Sequence, residues 1–494
     1  MADISFNAIP LDIWRPGIYV EIDPTLALNG LPVFKQRTVM FGQLGTGAEA
    51  AAGEIHNVIT PSQAKVLFGK DSMLVGMVDK FRLQNPYQEL VVIPLAENAE
   101  GQKASCERTF TGAATRGFTQ QFYVNEKRYQ LGVAAAETAE SVAGRLATML
   151  DNDPSCPVSA AATGAVLTLT CKWKGETGNG LVFRTRHYNS DQNTPGLGFG
   201  TGEFTGGTGN PDLTTAIDAL DDLTQYQGFV TAFTDEANMT AIRTELDTRW
   251  GPLSALDGRV FAAKRDGVAA MGTYALSLNS QNAVVMDMSS DALSAPWDWA
   301  ASMAGATMYY GSIDPARPFQ TLELKGIMGA PEGKRRIGAE NELLLSSGVS
   351  THTVGNDGKV DIERLVTTYS ENATGAEDTA YKSVNTVMIM SYYRRSIINR
   401  FRLKYPRHKL ALSGHPAAGR ASNIITPETG MAEFLAHYDQ MITDAGIADD
   451  LDGYKADLIA NKNSQKRGRL DVFDQPRPMD QFHQLAVRSA FRLI

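Results

Sequence analysis

Between residues 211 and 310 the chain alternates short apolar runs with helical segments, and this alternation constrains the fold more than any other feature. Residues 228–233, 258–263 and 282–288 are apolar runs of strand length. Segments 213–223, 236–250, 267–276 and 296–310 carry helical spacing and fall before, between and after them. Strands joined through helices predict a largely parallel sheet covered on both faces. An earlier β–α–β unit reads from 37 to 94. Its strands are 37–42 and 89–94, the second apolar on both faces as in a buried parallel sheet. Its helix opens at Thr60-Pro61-Ser62-Gln63, with Thr60 as N-cap, Pro61 at the first helical position and Gln63 at the reciprocal capping position.

The pattern changes from 104 to 209, which reads strand, strand, helix, strand, strand. A hairpin covers 122–131, a helix 140–150, and strands 165–170 and 181–184. The segment ends in a tract with seven glycines from Gly196 to Gly209, which reads as a flexible linker. A small α+β domain inserted into the α/β body is predicted, on the outside of any assembly and dispensable for it. Further on, 351–354 and 359–362 flank Asn356-Asp357-Gly358, a hairpin signal. Residues 380–403 and 431–444 are helical.

At 494 residues the chain is long enough for about three domains. It has no apolar run of 18 residues, so no transmembrane helix is expected. The first residues lack the basic patch and apolar stretch of a signal peptide, which points to folding in a cytoplasm. Cys106, Cys156 and Cys171 form no C-x-x-C and read as small buried thiols of one subdomain. The net charge of −9 argues against general nucleic-acid binding. It is uneven: from Ser391 onward 16 basic residues face 11 acidic ones. A basic C-terminal part on an acidic body suggests a surface that meets something negative.

A search for chemistry returns little. The P-loop pattern is absent; Gly69-Lys70-Asp71 and Gly333-Lys334-Arg335 lack its spacing and hydroxyl. Neither H-E-x-x-H nor G-x-S-x-G occurs. Asp450-Leu451-Asp452-Gly453 has Ala448 and Ile459 where a calcium loop needs carboxylates, so it reads as an acidic turn. Ser302-Met303-Ala304 echoes the nucleophile segment of subtilisin-like proteases but lacks the preceding Gly-Thr, and no histidine here is followed by glycine. No catalytic, cofactor or metal residue is assigned.

The termini are more informative. Gly17, Ile18, Tyr19, Val20, Glu21 and Ile22 make a short period-two strand. Leu485, Val487, Ser489, Phe491 and Leu493 share one face of a nine-residue strand, about 30 Å long when extended. Such a strand exposes unpaired main-chain groups and an apolar face. It either folds back onto its own sheet or is donated to a neighbour by β-augmentation; the pattern leaves both open.

Residues 4–10 with Pro16-Gly17-Ile18-Tyr19-Val20-Glu21-Ile22-Asp23 resemble the N-terminal arm of contractile bacteriophage tail sheath proteins of the Mu-like branch. Asp314-Pro315-Ala316-Arg317-Pro318-Phe319-Gln320-Thr321-Leu322 and Ile362-Glu363-Arg364-Leu365-Val366-Thr367-Thr368-Tyr369 carry the resemblance most specifically. Tyr405-Pro406-Arg407-His408-Lys409-Leu410 and the C-terminal ending add to it. The resemblance implies an α/β fold with a parallel-sheet, subtilisin-like core, an inserted small α+β domain, an α+β C-terminal domain and extended N- and C-terminal arms. The expected boundaries are an arm at 1–25, core at 26–103, insertion at 104–209, core at 210–370, a tube-facing and lattice domain at 371–480, and an arm at 481–494.

The implied role is structural, without enzymatic activity or cofactor. Six subunits form a ring around a tail tube, rings stack helically, and terminal arms pair with adjacent subunits. On a baseplate signal the sheath contracts and drives the tube through the bacterial envelope for genome delivery. The expected partners are further copies of the chain, the tail tube protein, and baseplate and tail terminator or neck proteins. No direct nucleic-acid contact or membrane insertion is expected. Such a sheath belongs to the virion tail and is assembled in the host cytoplasm. Arg394, Arg395, Arg400, Arg402, Lys404, Lys462, Lys466, Arg467 and Arg469 are the candidate cations facing an acidic tube. The segment 475–479, with Pro476 and Pro478, is expected to bend where the C-terminal arm leaves the body. The alternatives are the sheath of a contractile bacteriocin or injection device and, in another class, an α/β hydrolase or nucleotide-binding enzyme.

Overall fold

Strand β1 (Arg37–Gln43) is followed by β2 (His56–Asn57), helices α1 (Pro61–Phe68) and α2 (Met73–Gln84), and β3 (Glu89–Leu95). The computed structural model describes residues 34–417 and 423–492. They form two units: Phe34–Arg395 with residues 480–492, and Ser396–Met479. Thr60 caps α1 as its sequence predicts, its hydroxyl accepting from the Gln63 N–H at 3.2 Å. The Gln63 side chain reaches back to the Ile59 N–H at 3.0 Å, one residue before the cap.

The insertion follows: β4 (Lys103–Gly112), β5 (Phe118–Val124), β6 (Lys127–Val133), α3 (Ala139–Asp151), β7 (Val158–Thr163), β8 (Val166–Lys174), β9 (Phe183–Arg184) and β10 (Leu197–Phe199). It makes one sheet in the order β10-β4-β8-β7 and another in the order β6-β5-β9. Buried Arg108 joins them, donating to Gly200 C=O at 2.6 Å and Phe183 C=O at 2.8 Å. Phe110, Phe122 and Phe199 pack as neighbouring rings. Cys106, Cys156 and Cys171 are all buried and free.

One expectation about this segment changes. The glycine tract is no loose linker. Gly198 lies in β10 against β4, Thr205 bridges to Ser105 further along that strand, and Thr208 to Gln102 just before it. The glycines are needed because backbone lies against backbone: a Cβ on Gly202 would sit 2.5 Å from Glu107 O, and Gly196, at φ +89°, would meet Ala113 O. The insertion is also packed directly onto the body. Its apolar core is continuous with that of the body, with Trp173 edge-on to Trp297 at 5.8 Å. At the same boundary Lys80 Nζ lies 2.5 Å from Glu126 Oε1, and Ser294 Oγ donates to Glu126 Oε2 at 2.8 Å. Burial pushes the Asp298 carboxyl well above its ordinary range; Glu126 adds to this and Lys80 opposes it. Asp298 Oδ1 has no hydrogen-bond partner among the described residues.

The alternation then resumes: α4 (Thr214–Asp218), β11 (Gly228–Thr231), α5 (Glu236–Trp250), β12 (Arg259–Arg265), α6 (Val268–Leu278), β13 (Ala283–Met288), α7 (Pro296–Ile313), α8 (Gly338–Ser346), β14 (Thr351–Val354), β15 (Val360–Arg364) and α9 (Val384–Lys404). Helix α4 is shorter than its periodicity predicts. Asp221 Oδ1 captures the Leu223 and Thr224 N–H groups at 2.5 and 3.0 Å, turning the chain out of the helix. The hairpin at Asn356-Asp357-Gly358 forms, pairing Val354 with Val360.

The main sheet has the order β13-β12-β11-β1-β3-β2 and is parallel except for β2. Both faces are buried, and the side chains alternate between two cores. Met40, Val92, Val230, Phe261 and Val284 face one core, and Val39, Val91, Phe229, Val260 and Val285 the other. Helix α7 lies within the first core and is buried almost all round, Ser302 included. A helix apolar on every side belongs in an interior.

The second unit holds the end of α9, β16 (Lys409–Leu410), β17 (Ile424–Ile425), α10 (Pro427–Thr443), α11 (Leu451–Asp457), β18 (Ile459–Lys462) and β19 (Leu470–Phe473). The Asp450 carboxylate caps α11 through the Gly453 N–H at 2.9 Å and pairs with Arg477 at 3.3 Å. That acidic turn is a structural cap.

Candidate assembly surfaces

Residues 480–492 adopt no helix and pair with no strand. Leu485, Val487 and Phe491 are 75, 72 and 87% exposed. The apolar stripe predicted for the C-terminal strand is therefore uncovered in the single chain. Leu493, and the N-terminal strand Gly17, Ile18, Tyr19, Val20, Glu21 and Ile22, lie outside the described residues.

The root of this segment is held. Gln320 Nε2 donates to the Phe482 carbonyl at 3.3 Å, and its Oε1 lies 3.0 Å from His483 Nδ1. Ser383 Oγ donates to Gln481 Oε1 at 3.1 Å. Burial, with Arg364 nearby, lowers the His483 pKa. The expected bend at 475–479 is not loose either. Within the second unit the Arg477 N–H donates to the Tyr438 hydroxyl at 2.9 Å, and the Met479 N–H to Ile447 C=O at 3.0 Å. Arg477 also pairs with Asp457 at 2.8 Å. Two prolines mark the segment in the sequence, but its side chain and main chain are anchored.

The nine candidate cations divide into two groups. Arg394 donates to Asp257 at 2.8 Å and to Trp250 C=O at 2.7 Å, with its guanidinium 4.6 Å from the Trp250 ring centre. Arg395 stacks 4.2 Å over Phe34, and burial lowers its pKa. Arg400 donates to Glu433 and Gln440, both at 2.6 Å, and Lys404 reaches Glu433 at 3.2 Å. Burial alone raises the Glu433 pKa, but these cations outweigh it and the net shift is downward. These four side chains have structural duties. Arg402 is exposed on the last turn of α9. Lys462, Lys466, Arg467 and Arg469 lie on or beside the turn of the β18–β19 hairpin. Lys466 and Arg467 are exposed and form no ion pair among the described residues, whereas Arg469 pairs with Asp471.

The geometry gives no support to a hydrolase. Ser302 is fully buried and accepts from Gln84 Nε2 at 3.2 Å. Ser396 Oγ sits 2.7 Å from His437 Nε2, a pairing the sequence reading missed because 41 residues separate them. Both side chains are buried, out of reach of a substrate carbonyl. Burial first, and Arg400 second, lower the His437 pKa to about 4, so the ring is neutral. The insertion also closes onto the sheet at the crevice that open α/β sheets use for ligands. It lies at the carboxyl ends of β1 and β11, where the strand order reverses. There the Gln43 amide donates to Lys174 C=O at 2.7 Å and accepts from Thr177 Oγ1 at 3.2 Å, both groups of the insertion.

Sequence comparison agrees with this reading. Residues 206–368 match the phage tail sheath protein central domain, and 376–492 the phage tail sheath C-terminal domain. The chain is 35% identical over 480 residues to the Mu-like prophage FluMu tail sheath protein of Haemophilus influenzae, covering 97% of each chain. It therefore belongs to the phage tail sheath family, a class of structural proteins and not of enzymes. Solved structures show the same fold at low identity. The contracted helical sheath of the anti-feeding prophage superimposes with a TM-score of 0.51 at 11% identity, covering 97% of this chain and 99% of that one. The contracted sheath complex of the extracellular contractile injection system PVC gives 0.50 at 9% identity, covering 97 and 98%. The protein is thus a contractile-sheath component of a phage tail or a related injection system.

Proposed function

We propose that this chain polymerises as stacked six-membered rings around a phage tail tube and contracts to drive that tube through the bacterial envelope. The parallel sheet serves as the subtilisin-like core of each subunit, and the arms link subunits. The observation that carries this reading is the C-terminal segment, unpaired and with its apolar stripe uncovered. Main-chain bonds along a donated strand contribute roughly 0.5–1.5 kcal/mol each, so several per arm hold firmly while the bodies re-dock. The β18–β19 ladder supports the idea, because among the described residues it is only two strands wide and open at both edges. The N-terminal strand 17–22 is assigned the same linking role.

No nucleotide is consumed in this mechanism. The energy resides in a metastable extended packing that a baseplate signal releases. Exposed Lys466 and Arg467, with Arg402, are the cations best placed to meet an acidic tube, and such contacts are weak and screened by salt. Assembly takes place in the host cytoplasm, with the baseplate and a terminator or neck protein at the two ends. The identity to a Mu-like prophage sheath favours a phage tail over a bacteriocin-type device. Electron microscopy of the purified chain tests the proposal: tubes or rings are expected from the full chain, and folded monomers from one lacking 485–494. Tubes from the shortened chain count against the arms.

A further inference from the structure

We infer that Gln320 is a clasp that fixes where the C-terminal arm leaves the body, so that the arm pivots at His483–Gln484 and not at the prolines before it. Each hydrogen bond fixes the next. The Phe482 carbonyl can only accept, so the Gln320 NH2 must face it. That turns Gln320 Oε1 toward His483, and an amide oxygen can only accept. His483 Nδ1 therefore carries a proton, and one side chain grips two consecutive residues of the arm. Ser383 holds the residue before them. From Gln484 onward every described residue is exposed.

The clasp is itself held rigidly. Thr321, beside it, sits at φ +65°, a backbone region that a β-branched residue adopts only when its surroundings impose it. Those surroundings are visible. The Thr321 N–H donates to Ile362 C=O at 2.8 Å, and the Ile362 N–H returns a bond to Leu322 C=O at 2.9 Å. On the other side Asn385 Nδ2 donates to the carbonyls of Pro315 and Arg317 at 2.8 and 2.9 Å. Phe319 is buried beneath the loop. Residues 314–322, which also carry the family resemblance, thus form a mount that aims Gln320 at the arm. Gln320 is a positioning residue. By fixing the root it sets the starting direction of the free arm and reduces the ordering that strand donation must supply.

The consequence for assembly rests on the proposed donation of the arm, but the clasp can be tested without it. A nitroxide placed at Gln484→Cys reports only on the root, because the three native thiols are buried. In the monomer, Gln320→Ala is expected to raise label mobility about threefold. His483→Ala should give a smaller rise, and Gln320→Glu an intermediate one, since a carboxylate still accepts from Nδ1–H but repels the Phe482 carbonyl. An unchanged spectrum in Gln320→Ala, with the thermal unfolding of the labelled parent retained, overturns the clasp whatever the sheath does. If Gln320→Ala destabilises the fold, the His483→Ala spectrum decides: no rise there also overturns it. In polymerisation, Gln320→Ala should raise the critical concentration about tenfold with the arm present. A loosened root with unaltered assembly refutes the role in aiming. Assembly after deletion of 484–494 instead refutes the donated arm and leaves the monomer result standing.

Discussion

Replacing Val487 with proline separates the fold of the subunit from its linkage to others. Val487 is 72% exposed and pairs with no strand in the single chain, so the monomer should lose little. Surface substitutions of this kind stay within about 0.5 kcal/mol. In a donated strand the same change removes a main-chain donor and leaves its buried acceptor unmatched, at a cost of about 1–3 kcal/mol. The ring also disturbs the neighbouring ladder. A total of about 3 kcal/mol per link corresponds to roughly a hundredfold weaker contact, at 1.4 kcal/mol per decade. Val487→Ala loses only apolar contact, on the order of 1–2 kcal/mol, and should weaken it about tenfold. Thermal unfolding of the monomer and the critical concentration for pelletable sheath measure the two effects separately. The reasoning fails if Val487→Pro polymerises at the wild-type concentration while melting normally. It also fails if the monomer itself is destabilised, because the residue is then already packed in the single chain.

Asp298→Asn tests the buried carboxyl at the boundary of insertion and body. Its folded pKa is raised, so the native state holds the proton more tightly than the unfolded chain does; the associated stability is present at low pH and lost as pH rises through the folded value. The variant should therefore melt above the wild type at pH 8, with the gap closing toward pH 4, and a gap independent of pH contradicts this. Trp173→Ala should cost about 3–5 kcal/mol in denaturant unfolding, and excision of the insertion should yield insoluble protein, because Trp297 loses its cover; a soluble, cooperatively folding excision product restores the dispensable insertion. Gly196→Ala should cost roughly 1–2 kcal/mol from the left-handed backbone alone, and more from its approach to Ala113 O; a silent substitution there returns the glycine tract to a linker. Lys466→Glu with Arg467→Glu should leave the monomer melt unchanged and weaken sheath–tube association at low salt, with the difference shrinking as salt is raised.

Much of the main sheet was legible because each strand carries its own evidence. The apolar runs at β3, β11, β12 and β13 are too short for helices and are separated by helical periods, which leaves a buried parallel sheet as the consistent solution. The glycine tract was misread for a definite reason. Glycine marks a loose chain and a close backbone approach alike, and only the position of β4, about ninety residues earlier in sequence, separates the two readings. The continuity of the insertion's core with that of the body was similarly illegible, since nothing local tells Trp173 that its partner is Trp297. Among the candidate cations, the positive run in α9 was legible but its partners were not: Asp257 and Glu433 reach it only in three dimensions. The clasp was within reach and still missed. Gln320 lay inside the stretch carrying the family resemblance, yet no periodicity links it to His483, 163 residues later.

The three buried thiols bear on how such a particle keeps. Burial raises the pKa of each, that of Cys171 to about 12, so at neutral pH its thiolate fraction is on the order of one in a hundred thousand. Oxidants and disulfide exchange act on exposed thiolate. At these three positions a sheath built from this chain thus offers neither damage nor stray crosslinks a foothold. Neighbouring copies in such a sheath are not welded together by their own cysteines.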